Sequence, residues 1–405
     1  MVWEELCAME QPRGFTPHQT RLLLAELARP GAVDLPPYFE DAKGRPGWYY
    51  PTRSMRENLA EIERRCHKDS WLDRAIRARD ATQFVAEAHV AGALAAVRED
   101  GAVLTGPRAR AIAFSEVPPA TPEEGVFLRC HTTMRHIGAL VEERCTPELV
   151  TRLYRQVCGD ATQSSPSLSP IAIGNWFPGP IDTATALERV CHLMNSHEVD
   201  KADHPLTVSF GIQFLLGTVQ PLPSWNGVMS ALITRLFFIR SRLPALAYVP
   251  TVEVHRAWRE REIVPPEVPV AQQESIVVVD GECDFSLWDA TLVQLVRRQL
   301  DETEHDLRAL FDRDAALLDR LAHNQNLNHR QRVILAAALA DSEATFRIEA
   351  HRSVYEVAYA TARADLLGLV DLGYLRYTRR SRAFIFTPVP GLLRHVRVRS
   401  AERDL

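Results

Sequence analysis

The stretch TVQPLPSWNGVMSALITRL, residues 218–236, constrains the fold more than any other part of the chain. A Pro-punctuated loop runs into an apolar segment in which Met229, Leu232, Ile233, Leu236 and Phe237 recur at i, i+3, i+4, i+7 and i+8, the apolar face of a helix. Arg235 is the one charged residue of the stretch, so loop and helix belong at the centre of a helical domain. Asn226 is expected to cap a helix that begins near Gly227, and Gly227 permits close backbone approach. A loop that ends at a helix N-terminus leaves N–H groups unpaired at the positive end of the macrodipole, which makes a cradle for an anion. The same residues also read as an ordinary Asn-capped turn, and local pattern alone favours the turn. A β-hairpin at Asn-Gly fits less well, because the run downstream has period 3.6 rather than 2.

Helical patterns surround this centre. The first fifty residues carry PRG, RPG, LPPY, GRPGW and YP, which mark irregular arm loops. Amphipathic helices follow over 52–68 and 80–99, with Ser54 and Asp80 as expected N-caps. Residues 118–145 open on a Pro-rich turn with early acidic residues and continue with helical spacing. Thr146 caps the next helix, Glu148 lies in its first turn and Gly159 stops it. Residues 161–180 are Ser/Pro-rich with a short IAI run, a loop with a small hairpin. A further helix covers ATALERVCHLMNSHE, and the apolar run 205–216 leads into the central loop. His204 sits at a helix start, where capping explains it. Pro-rich 262–284 contains the β-branched run IVVVD, and a long helical region occupies 286–325. The chain closes with LNHRQRVILAAALAD, TARADLLGLVDLGYL and RYTRRSRAFIFTP, two helices and a hairpin with a basic tip, the pattern of a winged helix-turn-helix.

At 405 residues, 46% of them hydrophobic, the chain has enough apolar material for two or three domains with real cores. A net charge of −5 excludes a polycation that binds nucleic acid or anionic lipid with its whole surface. The 7 cysteines are scattered without C-x-x-C pairs, which suits buried thiols in a reducing, cytoplasmic compartment. No run has the length and apolarity of a membrane helix, and the N-terminus lacks a basic region followed by an apolar one. His131 and His136 stand five apart and do not share a helix face, so they read as structural, and neither a metal nor another cofactor is expected.

The order of elements across 205–250 resembles the central helix, loop and helix of the Fic (Fido) family, whose loop is HPFxDGNGRxxR. Pro221, Asn226 and Gly227 set the register, with Val219 and Leu222 at the flanking apolar positions. CTPELVTRLYRQV resembles the family helix before the substrate-docking flap, and SPIAIGNWFPGP takes the flap's place. Leu327, Asn328, Arg330 and Gln331 match the LNxRQ opening of the winged helix that many Fic proteins carry. The resemblance covers roughly residues 80–395. It implies a mainly α fold: a Fic-type helical bundle with a small β-hairpin flap, plus a C-terminal winged helix-turn-helix. It divides the chain into an arm over 1–79, a Fic-like domain over 80–260, a linker and helix over 261–325 and a winged-helix domain over 326–405.

Position by position, the family's chemistry is missing. Its general-base His falls on Gln220, which cannot take up a proton near neutral pH. Its metal-holding acid falls on Ser224, a poor ligand for a hard cation, and the next glycine becomes Trp225. Its two phosphate-clamping arginines fall on Val228 and Ala231; Arg235, one turn further on the same face, is the cation that could reach back. The family's self-inhibitory helix matches residues 91–96, with Ala95 where its Glu would stand, so inhibitor and clamp are lost together. Trp225 reads either as a stacking platform or, preferably, as a plug in the nucleotide pocket. Trp176 and Trp225 would bracket a ligand in an open pocket, with Gln220, Ser224 and Asn226 as neutral hydrogen-bonding groups.

Ordinary AMP transfer is therefore not expected, and no nucleotide is. The leading reading is a repurposed transferase or other small-molecule enzyme that uses the same pocket. The alternatives are a catalytically inactive Fic-like protein that binds a ligand or protein partner, and a winged-helix transcriptional regulator with a Fic-like sensor. For the last, Arg363, Arg376, Arg379, Arg380 and Arg382 would contact the DNA backbone, although the expected recognition helix is acidic and apolar. A homodimer is left open.

Overall fold

The structure, a computed structural model, describes residues 17–36, 39–78, 81–159, 173, 176–179, 181–196, 204–260, 272–321, 327–341, 343–380, 383–390 and 392. Helices dominate it, accompanied by a four-stranded and a three-stranded sheet. Two compact units are formed, each discontinuous in sequence. The first comprises Met1–Asp73, Ala88–Gly106 and Ala120–Glu302; the second comprises Arg74–Glu87, Pro107–Pro119 and Thr303–Leu405.

In the first unit the helix Asn226–Arg240 is buried from Asn226 through Phe238, on every side rather than on one face. Polar Ser230, Thr234 and Arg235 are buried with the apolar positions. The helix before it, Pro205–Gln213, is capped by His204, whose Nδ1 accepts from the Leu206 N–H at 3.2 Å, and it widens into a π-helical turn over Phe214–Val219. Around this pair stand the helices Pro122–His136, Pro147–Cys158 and Thr183–Ser196. Thr146 caps Pro147–Cys158 as its sequence requires, accepting from Leu149 N–H. On Arg53–Cys66 the cap is Thr52, not Ser54: the helix starts two residues early, which puts the Met55 N–H in reach of the Thr52 hydroxyl at 3.1 Å. The cap expected at Asp80 lies outside the described residues.

The sheet of this unit has the order β1–β2–β4–β3, formed by Val33–Asp34 (β1), Gly47–Tyr49 (β2), Val277–Val279 (β3) and Glu282–Asp284 (β4). Strands β2 and β4 run parallel, with Trp48 opposite Asp284, so the N-terminal arm is paired to residues more than two hundred positions away. Most of the expected flap lies outside the described residues, but Ile173 and Trp176 exchange backbone hydrogen bonds at 3.0 Å each. Six cysteines, Cys66, Cys130, Cys145, Cys158, Cys191 and Cys283, are free, buried thiols. No helix among the described residues is long and apolar enough to cross a membrane.

In the second unit the sheet order is β5–β7–β6, with Phe346–Arg347 (β5), Leu375–Arg380 (β6) and Ala383–Pro388 (β7) all antiparallel. Among the described residues from 327 onward, three helices, not two, accompany it: His329–Ala340, Ile348–Tyr355 and Tyr359–Asp371. Asn328 and Gln331 close a capping box on the first. Asp365, on the last, is buried and accepts from Asn328 Nδ2 at 2.6 Å, Arg330 Nε at 2.6 Å and Nη2 at 3.1 Å, and pairs with His351 Nε2 at 3.0 Å. Burial pushes its pKa up, yet the bonds from Arg330, His351 and Asn328 outweigh this and hold it below the usual carboxylate range. Removing the carboxylate strands a partly buried guanidinium and a cap. Asp365→Ala should cost about 3–5 kcal/mol of stability in denaturant unfolding, whereas a loss below 1 kcal/mol would mean that the network is dispensable. The contribution of Asp365 is present above the unfolded-state carboxylate pKa and is lost as pH falls through its lower native value.

Candidate functional site

Helix Thr82–Glu99 ends in a reciprocal pair of backbone bonds: Ala102 N–H to Val97 O at 3.0 Å and Gly101 N–H to Arg98 O at 2.9 Å. Gly101, with φ of 83°, supplies the left-handed residue that this Schellman closure needs. Asp100 is thereby fixed just past the helix end. Its carboxylate accepts from Gly227 N–H at 2.9 Å through Oδ1 and from Val228 N–H at 2.9 Å through Oδ2. The first-turn amides of the central helix are thus taken by a side chain of the same chain. Asp100 is 2% exposed. Burial pushes its pKa up to about 7; the Gly227 and Val228 amides pull the other way, and neighbouring Glu99 adds to the rise.

Glu99 is itself buried and forms a bidentate pair with Arg259 at the end of helix Thr251–Arg259, one contact being Nη2 to Oε2 at 2.9 Å. Burial raises the Glu99 pKa against the pull of Arg259. Helix Thr82–Glu99 approaches so closely that a Cβ on Gly227 would lie 2.5 Å from Glu99 Cβ and 3.0 Å from Ala96 O.

Asn226 does not cap the central helix. The cap position is Trp225, in the left-handed region at φ 56°, ψ 37°, and Asn226 is the first helical residue. Its amide instead pins the loop, with Leu222 N–H donating to Oδ1 and Nδ2 donating to Leu222 O, each at 3.0 Å. The cap expected of Asn226 fails because Asp100 already takes the Gly227 and Val228 amides of the first turn. Trp225 is 1% exposed. Gln220, also left-handed at φ 55°, is buried and donates to Gly217 O at 3.2 Å. Ser224 is buried against Tyr154, with Oγ and OH 3.1 Å apart.

Two residues expected at the loop lie elsewhere in the core. Trp176 is fully buried in an aromatic cluster, 4.9 Å from Phe214 and 5.9 Å from Phe285 between centroids, with its Nε1 donating to Phe39 O at 3.3 Å. Arg235 does not reach back to the loop: Nε donates to Met134 O at 3.2 Å, Nη1 to Ala247 O and Nη2 to His89 Nε2 at 2.6 Å. His131 is buried, and burial takes its pKa down to about 4. Among the described residues no group of three or more His, Cys, Asp and Glu could hold a metal ion.

In the second unit Arg363, Arg376 and Arg379 are exposed, and Arg376 Nε donates to Thr387 Oγ1 at 3.3 Å across the hairpin. The side chain of Arg380 and the whole of Arg382 lie outside the described residues. Asp365 points into the core network, while the helix Tyr359–Asp371 exposes Tyr359, Ala360, Arg363, Ala364 and, at its end, the acid Asp371.

Sequence reading missed Asp100 and Glu99. The signal was present in R-E-D-G, acidic residues directly before a helix-stopping glycine, but nothing local says that they are buried.

No protein-family profile matches the chain, and no curated protein does. Among solved structures, a Fic family protein from Desulfovibrio desulfuricans G20 is similar to it at 12% sequence identity over 83% of this chain and 95% of that one, with a TM-score of 0.43.

Two outcomes follow from the cradle. Gly227→Ala should destabilise the protein by about 1–3 kcal/mol, since backbone and the stem of Glu99 must both move; an unchanged midpoint in urea would contradict the close approach. The second concerns pH. Because the native pKa of Asp100 is raised, the native state keeps a proton that the unfolded chain has released, so this stabilisation is full below about pH 4 and is lost as pH rises through about 7. The stability difference between wild type and Asp100→Asn should therefore fall across that window by on the order of 1 kcal/mol per pH unit and level off above it. A difference that stays flat from pH 4 to pH 8 would place Asp100 in water.

Proposed function

We propose that this chain is a Fic-like protein that does not transfer nucleotides and acts by binding, with its loop closed from within. The observation that carries the reading is the Asp100 carboxylate on the Gly227 and Val228 amides, where a phosphate would otherwise sit. Gln220 and Ser224 stand where the resemblance calls for a base and a metal ligand, and Val228 and Ala231 where it calls for arginines. Trp225 acts as the plug. A repurposed enzyme at the same loop would need solvent or substrate to reach Gln220, Ser224 and Asn226, and the burial of all three favours the binding protein over the enzyme.

Incubation with labelled ATP, GTP, UTP or CTP and a divalent metal should label neither the protein nor a lysate. Transfer that disappears in Asn226→Asp, which loses the Nδ2 bond to Leu222 O, would overturn the reading.

A second reading rests on the inward turn of Asp365. With that acid internal, the helix exposes Tyr359 and Arg363 along with Asp371 at its end, and the hairpin exposes Arg376, Tyr377 and Arg379, basic and aromatic residues of the kind a DNA-binding winged helix presents. Binding to duplex DNA at low salt, weakened by added salt and by Arg363→Glu with Arg379→Glu, is its expected sign. Absence of binding at low salt would end it.

A further inference from the structure

Arg235 is a cation without a counter-charge. It is 7% exposed, and no carboxylate among the described residues pairs with it. Its partners are two carbonyl oxygens, His89 Nε2 and the Tyr248 hydroxyl, and the Tyr248 ring lies 4.5 Å from its guanidinium carbon. All are neutral. His89 must accept rather than donate, because a guanidinium has no lone pair to offer, and burial, followed by the Arg235 charge, takes the His89 pKa down to about 2. Arginine does not escape such a site by losing its proton, so the charge stays and calls for an anion.

The side chain lines a cavity of about 80 Å³. Thr234, its neighbour on the central helix, lines the same space, and the Thr234 hydroxyl is buried with no hydrogen-bond partner among the described residues. A helical threonine usually bonds back to the carbonyl four residues before it; this one does not. The carboxylate in the wall, Glu253, is already held by Arg256, with contacts at 2.6 and 3.0 Å. Much of the remaining wall is apolar, with Ala95, Ala231 and Phe238 prominent in it. An unneutralised guanidinium, an idle hydroxyl and apolar walls around a small space describe a ligand with an anionic head and a short hydrocarbon end.

We propose that this cavity binds a short-chain monocarboxylate, with its carboxylate on the Arg235 guanidinium and the Thr234 hydroxyl and its alkyl end against Ala95, Ala231 and Phe238. The volume admits roughly four heavy atoms, the size of acetate, and the planar guanidinium suits a planar carboxylate better than a spherical halide. The site is separate from the Asp100 cradle and does not depend on the Fic-like reading.

Thermal unfolding of the full chain at constant ionic strength tests it, with acetate exchanged stepwise for gluconate, which is too large for the space. A saturable rise in Tm of a few degrees with acetate is expected, and none with gluconate. Arg235→Met removes the charge but can disturb the core, so the deciding variant is Thr234→Val, which keeps the shape and removes a hydroxyl that no described group uses. It should fold with an unchanged or higher Tm in gluconate and need at least fivefold more acetate for the half-maximal rise. Equal Tm in acetate and gluconate, chloride as effective as acetate, or an acetate midpoint that moves less than twofold in Thr234→Val would each overturn the proposal.

Discussion

One carboxylate, that of Asp100, satisfies two first-turn amides of the central helix, and the surrounding packing is arranged to let it do so. The first-turn N–H groups of a buried helix have no water to turn to, so a buried start needs an internal acceptor. Asp100 is delivered by the Schellman closure at Gly101, at the negative end of one helix and against the positive end of another. The approach is close enough that residue 227 has no room for a Cβ. Glu99, one residue back, is neutralised by Arg259, and Asn226 folds the loop onto Leu222. Each contact fixes the position of the next.

The arrangement is costly in desolvation, as the rise of the Asp100 pKa to about 7 reflects, and it is offset by the amides and by packing around them. In the proposed reading it also explains the uncharged loop. A helix start already neutralised from within gains nothing from arginines, a metal ligand or a base aimed at an external phosphate. Arg235 fits the same account from the opposite direction: it is a charge left in the core, engaged with carbonyls and a neutral histidine well away from where a phosphate clamp would act.

Much of the helical architecture was legible in the sequence, because capping chemistry and 3.6 periodicity are local. Thr146, His204 and the Asn328–Gln331 box all cap as their residue types require. Errors arose where tertiary contacts decide. Thr52 rather than Ser54 caps its helix through a shift of register, and the eight-residue helix Ile348–Tyr355 is too short to carry a clear period. The parallel pairing of β2 with β4 joins segments that share no sequence signal. At the site, local pattern favoured an Asn226-capped turn, yet Trp225 holds the cap position and Asp100 takes the first-turn amides, a partner invisible in the sequence because R-E-D-G looks like a solvated helix end. Asp365 misled in the same manner: of the two acids on the candidate recognition helix, Asp371 is exposed as it reads, whereas Asp365 is enclosed by Arg330 and His351.

Amide hydrogen exchange at Gly227 and Val228, in wild type and in Asp100→Ala, tests the central claim most directly. First-turn amides of a helix exchange fast unless something accepts their hydrogen bonds. The account predicts that both amides are protected in wild type to the level of the helix interior and lose that protection in Asp100→Ala while residues 232–238 keep theirs. Fast exchange at both amides in wild type, or protection that survives the loss of the Asp100 carboxylate, would contradict it.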